Sequence, residues 1–387
     1  MSSHDRIYRP VGARLPRTAV LAGVAVGFAI PVGAQTMTRL DGHARVIASD
    51  NPFLLDGGDT HAVAMEVAAR PDLRWQPGPS TFAQLRGEVA YRRYLRRYGD
   101  FLTGDAEASL RHRASDFISA DASLTYAREL PIDGLTESSD FAVDPTTVRQ
   151  RISGRGAVTW TPNSRDRLVG AVGFERLRYS RAGPLAGTNA RNLDVEATRR
   201  ITERTRIGVS VMAARTRIAG TGNLAADGIR AVIEHQFSPH LNARGRLGFE
   251  WTRYDIGSSS ARGRLSGNAN ICYRPERVEG CFTASVQNEV SGIGGLQRER
   301  FVGATFRYRL DEWSSLTALA DRRSSDLAAP LVPIRTRAER VGIGYERRVG
   351  PRLMLTGNAD YQRRQFAMGG TNGAFVILLG ISLARGD

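Results

Sequence analysis

Leu241-Asn242-Ala243-Arg244-Gly245-Arg246-Leu247-Gly248-Phe249-Glu250-Trp251-Thr252 is the stretch that decides the fold. Its odd positions (Leu241, Ala243, Gly245, Leu247, Phe249, Trp251) are apolar or small, and its even positions hold Asn242, Arg244, Arg246, Glu250 and Thr252. Successive side chains of a strand point to opposite faces, so this period of two is an extended segment with one apolar and one charged face. Residues 302–310 repeat it, with Val302, Ala304, Phe306, Tyr308 and Leu310 against Arg307 and Arg309. Residues 353–362 do the same, with Leu353, Leu355, Ala359 and Tyr361 against Thr356, Asn358 and Asp360. Charges on the second face are too frequent for the core of a sandwich.

Short turns punctuate these segments, beginning at 161, 201, 238, 274, 311 and 349. Between them lie longer Gly- and Ser-rich connections such as Ala219–Asn223, Gly257–Ser260, Gly292–Gly295 and Gly369–Gly373. Each period therefore holds two strands, a tight turn at one end and a looser loop at the other. That is the pattern of an outer-membrane barrel. A propeller blade has a similar length but buries both faces of most strands, which these charged faces exclude. Candidate strands fall near 36–49, 62–75, 81–94, 103–113, 117–128, 148–160, 166–179, 190–200, 205–217, 227–237, 241–254, 263–273, 281–291, 299–310, 314–324, 335–348, 353–366 and 373–384. The expected fold is all-β: a single transmembrane antiparallel up-and-down β-barrel of about 18 strands, or 16 if residues 36–61 form a periplasmic segment. An even count places both termini on the periplasmic side. Trp75, Tyr91, Trp160, Trp251, Tyr273, Trp313 and Tyr345 are the candidates for interfacial belts.

The chain begins with a different signature. Arg6, Arg9, Arg14 and Arg17 precede an apolar run from Ala19 to Ile30, and Val32-Gly33-Ala34 follows. Basic, apolar and small residues in that order make 1–34 a secretory signal peptide, with 35–387 as the mature barrel. The apolar run is too short for a helix that spans a bilayer.

All 54 basic residues among the Lys and Arg are Arg, and the net charge is +15. Guanidinium groups are permanently charged forks suited to carboxylate, sulfate or phosphate. Because they are spread evenly and the chain is secreted, nucleic acid is excluded as a partner. Cys272 and Cys281 lie nine positions apart on the charged parity of neighbouring strands, which in an oxidising compartment predicts a disulfide.

The charged parity would line the lumen. It holds Arg86, Glu88, Arg92, Asp121, Arg244, Arg246, Glu250, Arg307, Arg309, Glu346 and Asp360. Two readings stand: a ladder of Arg–carboxylate pairs that stiffens the wall, or a cation-rich pore that favours anions. The acidic stretch 129–147 would fold into that lumen, bind a divalent cation at the surface, or remain solvated. No zinc spacing, nucleophile elbow or phosphate loop occurs, and His61 beside Asp59 is a lone pair. No catalytic residue, metal or cofactor is therefore expected.

Asn51-Pro52-Phe53-Leu54 followed by Gly57-Gly58, together with Tyr91-Arg92-Arg93-Tyr94-Leu95-Arg96-Arg97-Tyr98-Gly99, resembles the outer-membrane β-barrel porins encoded beside exopolysaccharide gene clusters in alphaproteobacteria. The resemblance implies export of an acidic surface polysaccharide, or an accessory role in it. The alternatives are a diffusion porin for small anions and a non-conducting structural barrel. Outer-membrane lipid and the barrel-assembly machinery are the partners any such chain requires.

Overall fold

The computed structural model describes residues 35–57, 59–133, 147–180, 186–220, 222–254, 262–291, 295–327, 334–365 and 370–386. The signal peptide expected at 1–34 lies outside them. Nine strands form the first half: β1 (Gln35–Ser49), β2 (Ala62–Gly78), β3 (Thr81–Tyr94), β4 (Asp100–Arg113), β5 (Ile118–Glu129), β6 (Arg149–Trp160), β7 (Asp166–Tyr179), β8 (Thr188–Thr202) and β9 (Thr205–Ile218). The second half holds β10 (Gly222–Gln236), β11 (Leu241–Tyr254), β12 (Arg262–Tyr273), β13 (Val278–Ser291), β14 (Gly295–Arg309), β15 (Ser314–Leu327), β16 (Ile334–Arg348), β17 (Leu353–Gln365) and β18 (Thr371–Gly386).

Each strand pairs antiparallel with the next in sequence, and the ring closes between β1 and β18. β1 runs against β2 from Gln35↔Gln76 to Ser49↔Ala62, and against β18 from Arg39↔Gly386 to Ser49↔Val376. The 16-strand alternative is thereby corrected. Residues 35–49 belong to the wall, because without them β2 and β18 would each present an open row of N–H and C=O groups to hydrocarbon. Several strands also run further than their apolar alternation predicts: β10 starts at Gly222 and β14 at Gly295. The backbone ladder does not require apolar side chains, so it continues into the polar residues beyond the apolar belt.

The outer face is apolar along the middle of every strand. Leu247, Phe249 and Trp251 of β11, Val341 and Ile343 of β16, and Phe375, Ile377 and Leu379 of β18 are all exposed. Leu379 keeps 64% of its surface. A continuous exposed belt of this kind is stable only against lipid. The belt is rimmed by aromatics: Trp160, Tyr273, Trp313 and Tyr345 near the short turns, Tyr91 and Trp251 toward the long loops. The turn before β15 is set locally, since the Asp311 carboxylate accepts the Trp313 N–H at 2.7 Å. That hydrogen bond holds the Asp311 carboxyl below its usual pKa range.

Cys272 and Cys281 are direct partners in the β12–β13 register and are joined in a disulfide, with Cα atoms 4.1 Å apart. Closing so short a loop stabilises by roughly 2–3 kcal/mol on the chain-entropy model. Replacing both by Ser is therefore expected to lower the urea midpoint while leaving a folded, heat-modifiable barrel. A barrel that fails to assemble without the bond would contradict this.

Candidate functional site

Ion pairs distinguish the inside of the wall from the outside. Arg244 and Arg246 of β11 both reach Glu196 of β8, with Arg244 Nη2 2.7 Å from Oε1 and Arg246 Nε 2.9 Å from Oε2. Two strands separate β8 from β11, so such side chains meet only on the concave side of a curved sheet. All eleven charged residues named from the sequence occupy the parity opposite the exposed apolar belt.

Most of them are paired. Arg86 bonds Glu107 at 2.7 Å, and Arg111 bonds Asp121 at 2.9 Å. Arg230 bonds the buried Glu250 at 3.2 Å, and Arg340 bonds Asp360 at 3.3 Å. Arg307 stands 3.9 Å from Glu346, and Glu88 is held by Arg70. Arg244 also contacts Glu234 at 3.1 Å. Arg309, at the short-turn end, donates its backbone N–H to Arg277.

The densest cluster centres on Glu66, which the strand pattern did not single out. Its carboxylate is 1% exposed and receives Arg92 Nε at 2.7 Å, Arg45, and His43 Nε2 at 3.5 Å. Arg92 in turn donates to Asp133 at 2.8 Å. Desolvating one carboxylate is costly, and two guanidinium groups with complementary geometry offset that cost. His43, Glu66 and Glu88 lie close enough together to hold a metal ion. Both carboxylates, however, already carry arginine partners.

Two loop segments fold into the barrel beside this cluster. Residues 50–57 leave β1 and turn inward, held by a reciprocal clasp: Asn51 Nδ2 donates to the Leu55 carbonyl and Leu55 N–H to Asn51 Oδ1, each at 2.9 Å. Leu54 has φ 51° and Gly57 has φ 127°, so the chain reverses through left-handed backbone. For Leu54 that conformation is costly and persists only because surrounding contacts fix it. Phe53 and Leu54 are fully buried, packed with Ala62, Ala64, Tyr94, Leu130, Ile132, Val148, Ala338 and Ala374. Phe53 sits 4.6 Å from the Tyr98 ring and 5.4 Å from that of Tyr94. From the far side of the seam, Asn372 donates to the Leu54 carbonyl at 2.9 Å and to Asp56 at 2.8 Å.

The second segment opens the acidic stretch. Leu130 and Ile132 enter the same apolar cluster, Asp133 takes Arg92, and Glu129 takes Arg149 at 2.8 Å. Residues 134–146 lie outside the described residues. Between these segments and the adjoining wall is a cavity of about 350 Å³, bounded among others by Pro52, Ile132, Asp133, Arg45, Arg92 and Arg340. His61 and Asp59 form an exposed contact, with Arg97 also on Asp59.

No family model matches this chain, and no curated protein does. Solved structures with a comparable trace include the outer membrane protein opdK from Pseudomonas aeruginosa, at 11% identity and TM-score 0.48, covering 91% of this chain and 99% of that one. Another is Pseudomonas aeruginosa OccK2 (OpdF) in complex with glucuronate, at 13% identity and TM-score 0.48, covering 90% of this chain and 98% of that one. A third is Acinetobacter baumannii OccAB3, at 8% identity and TM-score 0.44, covering 91% and 100%. At these values no family membership follows.

Proposed function

We propose that the chain is an outer-membrane channel, with both termini periplasmic, that passes small anionic solutes. One observation carries the reading: a set of inward arginines has no matching carboxylate. β6 presents Arg151 and Arg155 to the lumen beside the Arg149 that Glu129 takes, and the strand itself contains no acidic residue. Arg200 and Arg206 face each other directly across the β8–β9 ladder. Like charges in that position repel, and a passing anion relieves the repulsion. Among the described residues, Arg151, Arg155 and Arg200 form no ion pair with a carboxylate, and neither does Arg206, whose neighbour across the β9–β10 ladder, Glu234, is taken by Arg244. Arg200, Arg206 and Arg244 also border a cavity of about 460 Å³ at the short-turn end.

An 18-stranded barrel is wide enough for an aqueous lumen. The inward loops narrow it at the long-loop end, which suits small solutes and leaves little room for a polymer. The polysaccharide export implied by the resemblance draws no support from this interior.

Replacing Arg151, Arg155, Arg200 and Arg206 by Gln is expected to lower the anion-over-cation permeability ratio by roughly twofold or more in bilayer recordings at low salt, where screening is weak. An unchanged ratio would sink the reading. Replacing Arg244 and Arg246 is a different experiment, because it strips partners from the buried Glu196. Orientation has its own test, in a variant lacking the native cysteines. A single cysteine at Asn223, at the long-loop end of β10, should react with an impermeant label in intact cells, and one at Glu203, in the turn between β8 and β9, should not. The reverse pattern would invert the topology.

A further inference from the structure

The outward face of β7, β8 and β9 carries most of its charge at one end. Above the apolar belt, at the long-loop end, β7 carries Arg176 and Arg178, β8 carries Arg191, and β9 carries Arg215 and Arg217, all exposed. Their parity is that of the exposed Val172 and Phe174, Leu193 and Val195, and Val209 and Val211. The register places Arg191 directly opposite Arg215 and next to Phe174 on its other side. Asn189, two residues before Arg191, faces Arg176 on one side and Arg217 on the other. Five guanidinium groups thus share one patch.

Only one acidic residue serves it. Asp227 accepts Arg215 at 2.8 Å and Arg253 at 2.7 Å. Arg176, Arg178, Arg191 and Arg217 have no carboxylate partner among the described residues. The other rim of the same three strands differs. Its outward face has one arginine, Arg199, and Asp166 stands 3.8 Å from it. A solvated rim would not need this asymmetry, and opposed arginines on a ladder are destabilising unless an anion lies between them.

We propose that this patch binds the phosphate groups of a phosphorylated glycolipid of the outer leaflet, with acyl chains lying along Val172, Phe174, Leu193 and Val211. Planar guanidinium forks accept phosphate in a bidentate manner, and several together suit a headgroup carrying more than one. Continuity with the apolar belt selects a lipid over a soluble anion. The assignment depends on the barrel spanning the outer membrane and is independent of what the lumen conducts.

Native mass spectrometry of the whole mature barrel in detergent tests it, with bisphosphorylated lipid A as probe and the same lipid dephosphorylated as comparison. The Arg176→Gln, Arg178→Gln, Arg191→Gln, Arg217→Gln variant is expected to bind the phosphorylated lipid at least roughly tenfold more weakly, since each surface cation contributes to anionic-lipid affinity. The Lys equivalent should retain most of the binding. A control with Arg300, Arg322, Arg335 and Arg363 changed to Gln, on the far wall, should stay near wild type. An equal loss in that control would replace a site with diffuse rim charge. Displacement by millimolar inorganic phosphate would point to a soluble anion instead. Equal binding of the two lipids by the wild-type barrel overturns the proposal outright, and that comparison stands even if the fourfold variant does not fold. Ion selectivity of the channel should be the same in all these variants.

Discussion

Changing Phe53 and Leu54 together to Ala is expected to open the long-loop mouth, raising single-channel conductance severalfold and making the current noisier. Both side chains are fully buried in the cluster that pins residues 50–57 against the inner wall. Truncating a buried Phe removes about 3–5 kcal/mol, and Leu→Ala about 2–5 kcal/mol. Those losses exceed what the Asn51 clasp and the two Asn372 hydrogen bonds supply at about 1 kcal/mol each. The strained backbone at Leu54 then no longer has the packing that fixes it. The wall itself, held by the closed ladder, should stay intact. Conductance and noise at wild-type values, in a variant whose loop has become protease-sensitive, would show that residues 50–57 do not restrict the path. Asn372→Ala should produce the same phenotype in weaker form, because it detaches the loop from β18 without removing apolar contacts.

The second large effect is expected at Glu66. Glu66→Ala should cost roughly 3–5 kcal/mol of stability, because it leaves Arg45 without a carboxylate and Arg92 with Asp133 alone, in a largely buried place. The readout is the urea unfolding midpoint of the barrel in lipid vesicles. Selectivity should move at the same time toward anions, since Arg45 loses its counter-charge and Arg92 keeps only Asp133 within the cavity that borders the passage. A variant with both Glu66→Met and Arg92→Met should be less destabilised than Glu66→Ala alone, the pattern of a buried pair whose members are each needed by the other. A single variant within about 1 kcal/mol of wild type would mean that the cluster is solvated and flexible.

The strand count, the alternation of short and long connections and the apolar belt were legible in the sequence because each is local. Parity is a property of consecutive residues, and Leu241–Thr252 carries it without reference to any other part of the chain. The Cys272–Cys281 bond was legible for the same reason: a tight hairpin fixes the register between neighbours. The acidic stretch was visible as unusual, but its length alone left three outcomes open, and Leu130 and Ile132 decided that its beginning turns inward.

Glu66 was equally accessible in principle. It is the first charge on a face that reads Ala62, Ala64, Glu66, Ala68, Arg70, Asp72 and Arg74, and a parity argument applied to β2 finds it. What parity cannot supply is its partners, since Arg45 and Arg92 come from strands on either side, and Asp133, the second partner of Arg92, comes from a loop 67 positions downstream of Glu66. Phe53 and Leu54 are harder still. An apolar pair in a loop next to Asn-Pro reads the same whether it meets lipid, solvent or the lumen. By itself the sequence determined a barrel with a charged interior and an apolar exterior, because backbone satisfaction in hydrocarbon permits little else for strands of this pattern. Only the closed ring decided which charges neutralise one another and which remain free. Curvature brings Arg244 within reach of Glu196 across two intervening strands, and closure through β1 and β18 carries Asn372 to the loop it holds.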